Sequence, residues 1–330
     1  MNIFQRYILS FFVAFLLLIS GHFFSLIIVD PLDISTIKFS EREFYIREMR
    51  FQSAAIINKY RFDSAIVGTS MAANFNISEA NKKLEGQFVN LSIDGSLMKE
   101  RKVVLDYLLF KKEIKTLVIS IDGASDIQRN RGIPIDSWSF LYNRNSFDDY
   151  SVYLNRKYSP YLSCHSIFSS ILSTYIFGEC PKNKIRKEIH QLTEWQSKEN
   201  YNSRYGGIEN WLKYKDNIQV SGLLKSIKKA AEQVEKKKLS VDSSINKYYD
   251  PAVFSKNIVS LVKTYPKTKF ILFFPPYSIF KYAIDIQINP QAYFEYNKLV
   301  EYVVLETAKY SNVNVHWFGD KSFVWNIANY

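Results

Sequence analysis

The turn Gly68-Thr69-Ser70 has the residue types and position for chemistry. It follows a short apolar run, Ala65 to Val67, and precedes a segment compatible with a helix. A serine at a strand-to-helix turn is held at the carboxyl edge of a sheet beside free N–H groups of the helix start, which suits a nucleophile. Ser and Thr are also preferred helix caps, so a purely capping role for Ser70 or Thr69 is the alternative.

The apolar runs of the chain predict a parallel sheet. They are continuous rather than alternating, and helical patterns separate them, which is typical of strands covered on both faces. The predicted strands are Ala65–Val67, Gln87–Ser92, Thr116–Ile121, Lys269–Phe274 and Val313–Trp317. The predicted helices are Ala73–Leu84, Leu97–Lys112, Pro251–Thr264 and Pro290–Lys309. The fold class is therefore α/β, a three-layer α/β/α sandwich with a mostly parallel sheet.

Polar residues follow the ends of several predicted strands. They are Ser70 after the first strand, Asp94 and Gly95 after the second, Asp122 and Gly123 after the third, and His316 and Asp320 by the fifth. Ligands of open α/β sheets bind just beyond the carboxyl ends of the strands. We therefore expect Ser70, Thr69, Asp94, Asp122 and His316 to line one site.

The amino-terminal segment predicts a membrane anchor. From Tyr7 to Val29 the chain is almost wholly apolar, with Arg6 before this run and Asp30 after it. The run is long enough to cross a hydrocarbon core of about 30 Å as a helix. The basic residue on the short leading side favours a cytoplasmic N-terminus and an extracytoplasmic domain. A cleaved signal peptide is the alternative, but the run exceeds a usual h-region and no A-x-A-like site follows.

The predicted organisation has three parts. Residues 1–30 form a cytoplasmic tip and a single transmembrane anchor, and residues 31–62 form a connector in which charges interleave with apolar positions, as in an amphipathic helix. Residues 63–330 form the α/β domain, interrupted at about 124–246 by a large, mostly helical insertion rich in Tyr, Asn, Ser and Lys.

Composition limits the partners. The formal charge of +11 favours anionic partners such as lipid headgroups or acidic polysaccharide. No zinc-finger or RNP-type pattern accompanies the lysines around Lys228, so they indicate a solvated helix face and no nucleic-acid partner. The four histidines and two cysteines show no metal-ligand spacing, so we predict neither a metal nor a cofactor.

The two cysteines, Cys164 and Cys180, lie on the predicted outer side. In an oxidising compartment they could close a loop, which contributes about 3 kcal/mol in the chain-entropy model. Whether they form a disulfide is open at this stage.

Three short motifs together resemble a known family. They are Gly68-Thr69-Ser70, Asn90-Leu-Ser-Ile-Asp-Gly95 and Phe273-Phe-Pro-Pro-Tyr-Ser278. They are similar to the SGNH/GDSL hydrolase-like proteins, more narrowly to membrane-anchored members linked to cell-envelope polysaccharides, whose relatives include alginate acetylation proteins and the D-alanyl transfer protein of teichoic acids. The resemblance covers roughly residues 60–123 and 250–330 and implies a flavodoxin-like SGNH fold.

The resemblance implies roles for individual residues. Ser70 matches the nucleophile and would hold the oxyanion with its own N–H, and Gly95 matches the next oxyanion donor. The third block, Ser120-Ile-Asp122-Gly123, departs from the family's Gly-x-Asn-Asp, so a third donor is left open. The family's base comes from an Asp-x-x-His block after the last strand, and none occurs after Pro251 in this sequence, which ends at Tyr330.

Two functions follow as hypotheses. The first is a membrane-anchored serine esterase or O-acyltransferase, acting on acyl esters of envelope or exopolysaccharide through an acyl-Ser70 intermediate. His316 is the candidate substitute base, with an ordinary strand residue as the alternative. The second is a non-catalytic or truncated relative that binds polysaccharide, or other polysaccharide-biosynthesis membrane proteins, as a scaffold.

Overall fold

The protein is described from a computed structural model. The described residues are 2–30, 32, 34, 48–123, 134–143, 207–216, 221–222, 224–225, 227–228, 232, 251–277, 282 and 290–319. The two cysteines, Cys164 and Cys180, lie outside these residues, as do Asp320 and most of the predicted insertion at 124–246. The question of a disulfide therefore stays open, and the insertion and the division of the chain at residues 30 and 62 stay predictions.

The chain forms two compact units, Met1–Tyr60 with Pro134–Gln191 and Arg61–Ile133 with Leu192–Tyr330. In the first unit, helix α1 spans Ile3–Val29 and helix α2 spans Met49–Lys59, and 3-10 turns span Ile135–Ser137 and Ser139–Tyr142. The α1 segment Ile3–Gly21 has 19 residues and a mean hydropathy of 1.9, so it is long and apolar enough to cross a bilayer. Signal sequences share this length and composition.

Helix α2 is buried along its length rather than on one face, which differs from the amphipathic pattern expected for the connector. Met49–Ile57 are all buried, including Arg50 and Gln52. Two of the buried polar side chains have partners, because the Arg50 guanidinium donates to Glu48 Oε1 at 2.9 Å and Gln52 Nε2 donates to the Leu32 carbonyl at 3.2 Å. The buried Ser53 hydroxyl has no hydrogen-bond partner among the described residues. The charges behind the expectation, at Glu41, Arg42 and Arg47, precede this helix and lie outside the described residues.

The second unit contains the predicted parallel sheet, which is confirmed. Its strands are β1 Ser64–Val67, β2 Phe88–Asn90, β3 Thr116–Ser120, β4 Lys269–Phe274 and β5 Val313–Trp317, in the order β2-β1-β3-β4-β5. Its helices are α3 Ile77–Leu84, α4 Met98–Lys111, α5 Gly207–Lys213, α6 Pro251–Phe254, α7 Ser260–Thr264 and α8 Pro290–Thr307, with a π-helical turn at Ser255–Val259 between α6 and α7. All strand pairs are parallel.

Apolar side chains pack on both faces of the sheet. On one face, Ile66, Val118 and Phe273 form a buried cluster with Ile77 of α3. On the other face, the Phe274 ring meets the Tyr296 ring of α8 edge-on at 5.8 Å. Burial on both faces is the reason that β1 to β4 are mostly apolar runs, whereas the edge strand β5 has no buried residue.

The helix after β1 begins later than predicted. A 3-10 turn occupies Ala72–Asn74, Phe75 is extended, and α3 begins at Ile77. Asn76 ends the extended piece because its side chain accepts the Glu79 N–H at 3.1 Å, as an N-cap does. The amino terminus of α3 is therefore separated from Ser70 by the 3-10 turn, and the predicted adjacency of Ser70 to an α-helix start is wrong.

Asp63, just before β1, makes the stability of the fold depend on pH. Burial alone would raise the pKa of its carboxyl, but hydrogen bonds from Lys115, the Gln87 N–H and Ser64, together with the Lys115 charge, lower the pKa below its ordinary value. A lowered pKa stabilises the fold above the unfolded pKa, and this contribution is lost as the pH falls through the folded value.

We therefore expect Asp63→Asn to lower the unfolding free energy at pH 7 by less than about 1 kcal/mol, because its partner Lys115 is exposed to solvent. The urea midpoint measures this loss. The difference from wild type should shrink below about pH 4, near the ordinary pKa of Asp. Equal deficits at pH 7 and pH 3 would contradict this assignment.

Candidate functional site

The strand order changes direction at β1. The chain moves from β1 to β2 on one side, and the later strands β3, β4 and β5 follow on the other side. In open α/β sheets such a topological switch point leaves a crevice beyond the carboxyl ends of the two flanking strands. The turn Gly68-Thr69-Ser70 leaves β1 at this point.

The carbonyl of Gly68 fixes the Asp94–Gly95 turn beside β1. It accepts the Ile93 N–H at 2.8 Å and the Ser96 hydroxyl at 3.5 Å. Gly95 has a positive φ of 60°, a conformation that glycine adopts without the steric cost of a Cβ. Gly95 is exposed and Asp94 is half-buried. The structure therefore brings the turn after β2 to the turn that carries Ser70.

The hydroxyl of Ser120, at the end of β3, fixes the same turn from the other side. It accepts the Thr69 N–H at 3.3 Å and donates to Asp122 Oδ2 at 2.7 Å. Gly68 packs against it so closely that an added Cβ would lie 2.2 Å from Ser120 Oγ. Three of the predicted strand ends thus converge around Gly68 and Thr69.

Thr69, which with Ser70 was a candidate for a cap, makes several local hydrogen bonds in this turn. Its hydroxyl accepts the Met71 N–H at 3.4 Å, and its carbonyl accepts the N–H groups of Ala72 and Ala73 at 3.0 Å each. Thr69 is buried, whereas Ser70 is half-buried at the crevice edge. Thr69 therefore holds the backbone that leads into the 3-10 turn at Ala72–Asn74.

Asp122 belongs to a buried charged network that includes Arg101 of α4. Arg101 Nη1 donates to the Ser120 carbonyl at 2.6 Å and lies 3.5 Å from Asp122 Oδ2. The Arg101 side chain is 0% exposed and that of Asp122 is 9% exposed. Asp122 Oδ1 is buried with no hydrogen-bond partner among the described residues. The Asp122 carboxylate thus accepts from Ser120 and lies beside Arg101, so it holds the turn in place. This arrangement disfavours Asp122 as a hydrogen-bond donor to an oxyanion.

Sequence reasoning missed Arg101, although a signal was present. Met98, Arg101, Leu105 and Leu108 recur at helical spacing and are all buried, so Arg101 occupies a position in the apolar stripe of α4. A charged residue in such a stripe is buried only with a partner. The pattern could have predicted a buried acid or carbonyl for Arg101, although not which one.

His316 is not brought to the serine turn. In the sheet, Ser120 pairs with Phe273, and Phe273 pairs with His316. His316 therefore lies two strands from Ser120, about 10 Å away at the usual strand spacing. The Phe273 ring, stacked on Phe75 at 5.0 Å, occupies the row between them. His316 is exposed on β5, and its ring stacks on Phe318 at 6.5 Å.

Aromatic side chains border the site on the β4 side. The Tyr277 hydroxyl donates to the Asp122 carbonyl at 3.1 Å. Tyr296 lies next to Gly123, where an added Cβ would be 3.8 Å from the Tyr296 ring. Burial, with Tyr282 nearby, raises the pKa of Tyr296 far above its ordinary value, so its phenol stays neutral. The wall beside Asp122 is therefore uncharged and aromatic.

Neither a metal centre nor a relative identifies the site. Within the described residues, no group of three or more His, Cys, Asp or Glu side chains is placed to hold a metal ion. Comparisons with protein-family models, with curated proteins and with solved structures found no match. The fold and site define an open parallel α/β protein whose serine turn lies at the topological switch point.

Proposed function

We propose that the protein is an SGNH-like serine esterase or O-acyltransferase that acts on acyl esters of envelope or exopolysaccharide. The observation that carries this proposal is the double fixation of the Gly68-Thr69-Ser70 turn, by the Ser120 hydroxyl on one side and by the Asp94–Gly95 turn on the other. A nucleophile must be held in place beside the donors that receive the developing charge. The short motifs that resemble the SGNH family occur at these same turns.

The proposed chemistry proceeds in two transfers. Ser70 Oγ loses its proton to a base and forms a bond to the acyl carbon, whose carbonyl oxygen becomes an oxyanion held by the N–H groups of Ser70 and Gly95. The C–O bond to the sugar then breaks, and the sugar oxygen takes the proton. In the second transfer a water or another sugar hydroxyl attacks acyl-Ser70 and frees the serine, which gives an esterase or a transferase respectively.

The described residues do not identify the base. The described geometry places His316 two strands from Ser120, beyond the reach of a hydrogen bond to the serine turn. Asp320 and the histidines His165 and His190 lie outside the described residues. The position of His316 favours the second candidate function, a non-catalytic SGNH-like scaffold that holds polysaccharide or partner proteins.

The proposed setting follows from α1. We propose a single-pass protein of the cytoplasmic membrane, with the N-terminus inside and the α/β domain on the extracytoplasmic side. The length and composition of Ile3–Gly21 support a span, and the position of Arg6 supports the orientation. Other membrane proteins of polysaccharide biosynthesis are the proposed protein partners.

Covalent labelling of Ser70 tests the first function. We expect the purified full-length protein to react with a fluorophosphonate at Ser70 and to hydrolyse a small aryl acetate. Ser70→Ala should abolish the labelling and lower hydrolysis at least about 1,000-fold, because the nucleophile is lost. The matched control is Ser78→Ala, an exposed serine on α3, which should leave both unchanged.

The two candidate functions differ in the outcome of this test. Absence of both labelling and hydrolysis in the wild-type protein would refute the enzymatic function. Wild-type levels of polysaccharide acylation in a Ser70→Ala strain would support the scaffold. Loss of acylation in that strain, with normal amounts of the variant protein in the membrane, would count against the scaffold.

A further inference from the structure

A cluster of lysines lies at the edge of the sheet opposite the serine turn. We call it the basic edge, and it comprises Lys111, Lys112, Lys115, Lys263, Lys267 and Lys269. These residues occupy the connection from α4 into β3 and the connection from α7 into β4. The two connections touch, because β3 and β4 are neighbours and the Lys269 N–H donates to the Lys115 carbonyl at 2.8 Å.

The lysines of the basic edge face solvent. All are exposed except Lys112, which is half-buried over the Phe62 ring at 5.1 Å. Acidic neighbours offset little of this charge. Asp63, before β1, pairs with Lys115 at 2.8 Å, and Glu113 is the one carboxylate in the connection from α4 to β3.

Helix-end electrostatics accounts for only part of the cluster. Basic residues in the last turn of a helix are favoured by the helix dipole, which explains Lys111 and Lys263. Lys115, Lys267 and Lys269 lie beyond the helices, in the turns and at the first residue of β4. They gain nothing from a dipole that falls off within one turn, so the basic edge has a surplus that helix stability does not require.

The carboxyl edge has a different charge pattern. Asp122 is paired with the buried Arg101, and Glu295 of α8 with Lys298. Exposed Lys99 and half-buried Asp94 lie on the turn and helix start that follow β2. The described charges at this edge are thus mostly balanced, whereas those at the opposite edge are mostly positive.

We propose that the basic edge docks on anionic lipid headgroups, which holds the serine turn on the side of the domain that faces away from the bilayer. Two observations favour a lipid surface as the occupant. The same chain carries α1, which is long and apolar enough to span a membrane. The polypeptide also enters the sheet at the basic edge, where Asp63 precedes β1 and its carbonyl accepts the Lys115 N–H at 2.7 Å. Exposed lysines next to an anionic membrane are attracted to it within about one Debye length.

This proposal rests on membrane insertion of α1 and not on chemistry at Ser70. Lysine acetylation followed by mass spectrometry tests it on the full-length protein in nanodiscs, one set of phosphatidylcholine and one with phosphatidylglycerol added. We expect the acetylation rates of Lys115, Lys267 and Lys269 to fall at least about threefold in the anionic nanodiscs and to recover in about 0.5 M salt. Lys99, at the opposite edge, should be labelled equally in both.

A pair of variants with equal charge changes gives the control. The triple variant Lys263→Gln, Lys267→Gln, Lys269→Gln should lose the protection of Lys111 and Lys115. The triple variant Lys99→Gln, Lys256→Gln, Lys298→Gln, whose lysines are exposed elsewhere, should retain it.

Three outcomes would overturn the proposal. One is equal labelling of the basic edge in both nanodiscs, and another is failure of the full-length protein to enter nanodiscs. The third is protection in neutral nanodiscs by a soluble anionic polysaccharide with none from anionic lipid, which would assign the edge to a glycan. None of these readouts changes if Ser70 is inactive.

Discussion

Gly68→Ala is expected to destabilise the protein by about 3 kcal/mol or more, at the upper end of the usual cost of overpacking. The added Cβ would lie 2.2 Å from Ser120 Oγ and 2.5 Å from the Ala72 Cβ. Both neighbours belong to buried residues, Ser120 at the end of β3 and Ala72 in the 3-10 turn. Neither is the flexible end of a long side chain, so the serine turn or the end of β3 must move.

The matched control is Gly95→Ala in the neighbouring turn. An added Cβ at Gly95 would meet nothing within 4 Å, but the residue has a φ of 60°. The cost there is the left-handed backbone alone, about 1–2 kcal/mol. Urea midpoints of the two variants separate crowding from backbone strain. A Gly68→Ala variant that loses no more stability than Gly95→Ala would show that the contact between Gly68 and Ser120 is not tight.

The double variant Gly68→Ala, Ser120→Gly tests whether crowding against Ser120 causes the loss of stability. Removing the Ser120 side chain removes the nearest contact, although the Ala72 Cβ at 2.5 Å remains. Ser120→Gly also removes the hydrogen bonds of the Ser120 hydroxyl to Thr69 and Asp122, so we expect the double variant to lose less stability than the sum of the two single losses. If crowding is the cause, the two substitutions are not additive, because the residues are in contact.

Arg101→Met is expected to destabilise the protein by about 3–5 kcal/mol, because it removes one partner of a buried ion pair and leaves the other charge uncompensated. Asp122 would then keep Ser120 Oγ as its hydrogen-bond donor, and the Ser120 carbonyl would lose the Arg101 bond at 2.6 Å. Met has a similar apolar stem, so the loss reports mainly on charge and hydrogen bonding rather than on packing.

Lys102→Met, one residue further along α4, is the matched control. Lys102 pairs with Asp106 of the same helix, whose side chain is exposed. Such exposed pairs contribute less than about 1 kcal/mol. The measurement is the urea midpoint of each variant. The double variant Arg101→Met, Asp122→Leu should be more stable than Arg101→Met alone, because it also removes the carboxylate that has lost its Arg101 partner. Equal losses for Arg101→Met and Lys102→Met would contradict the buried pair.

Strands β1 to β4 could be predicted from the sequence because most of their residues are buried on both faces, whereas no residue of the edge strand β5 is buried. The bounds Lys269–Phe274 and Val313–Trp317 were expected and are observed, and the first three strands differ from expectation by one or two residues. The start of α3 was wrong because the choice between a cap at Thr69 and one at Asn76 depends on local hydrogen bonds, which a pattern of apolar residues does not contain.

The sequence by itself determined the strand ends, and therefore that Ser70, Gly95 and Asp122 lie toward one edge of a parallel sheet. Strand order was the missing information, since apolar runs do not state which strands are neighbours. The tertiary structure decided that β3 lies beside β1, which places Ser120 against Gly68, and that β4 separates β3 from β5, which keeps His316 away. It also decided that Arg101 is buried with Asp122, because only packing brings a helix side chain to a particular strand end.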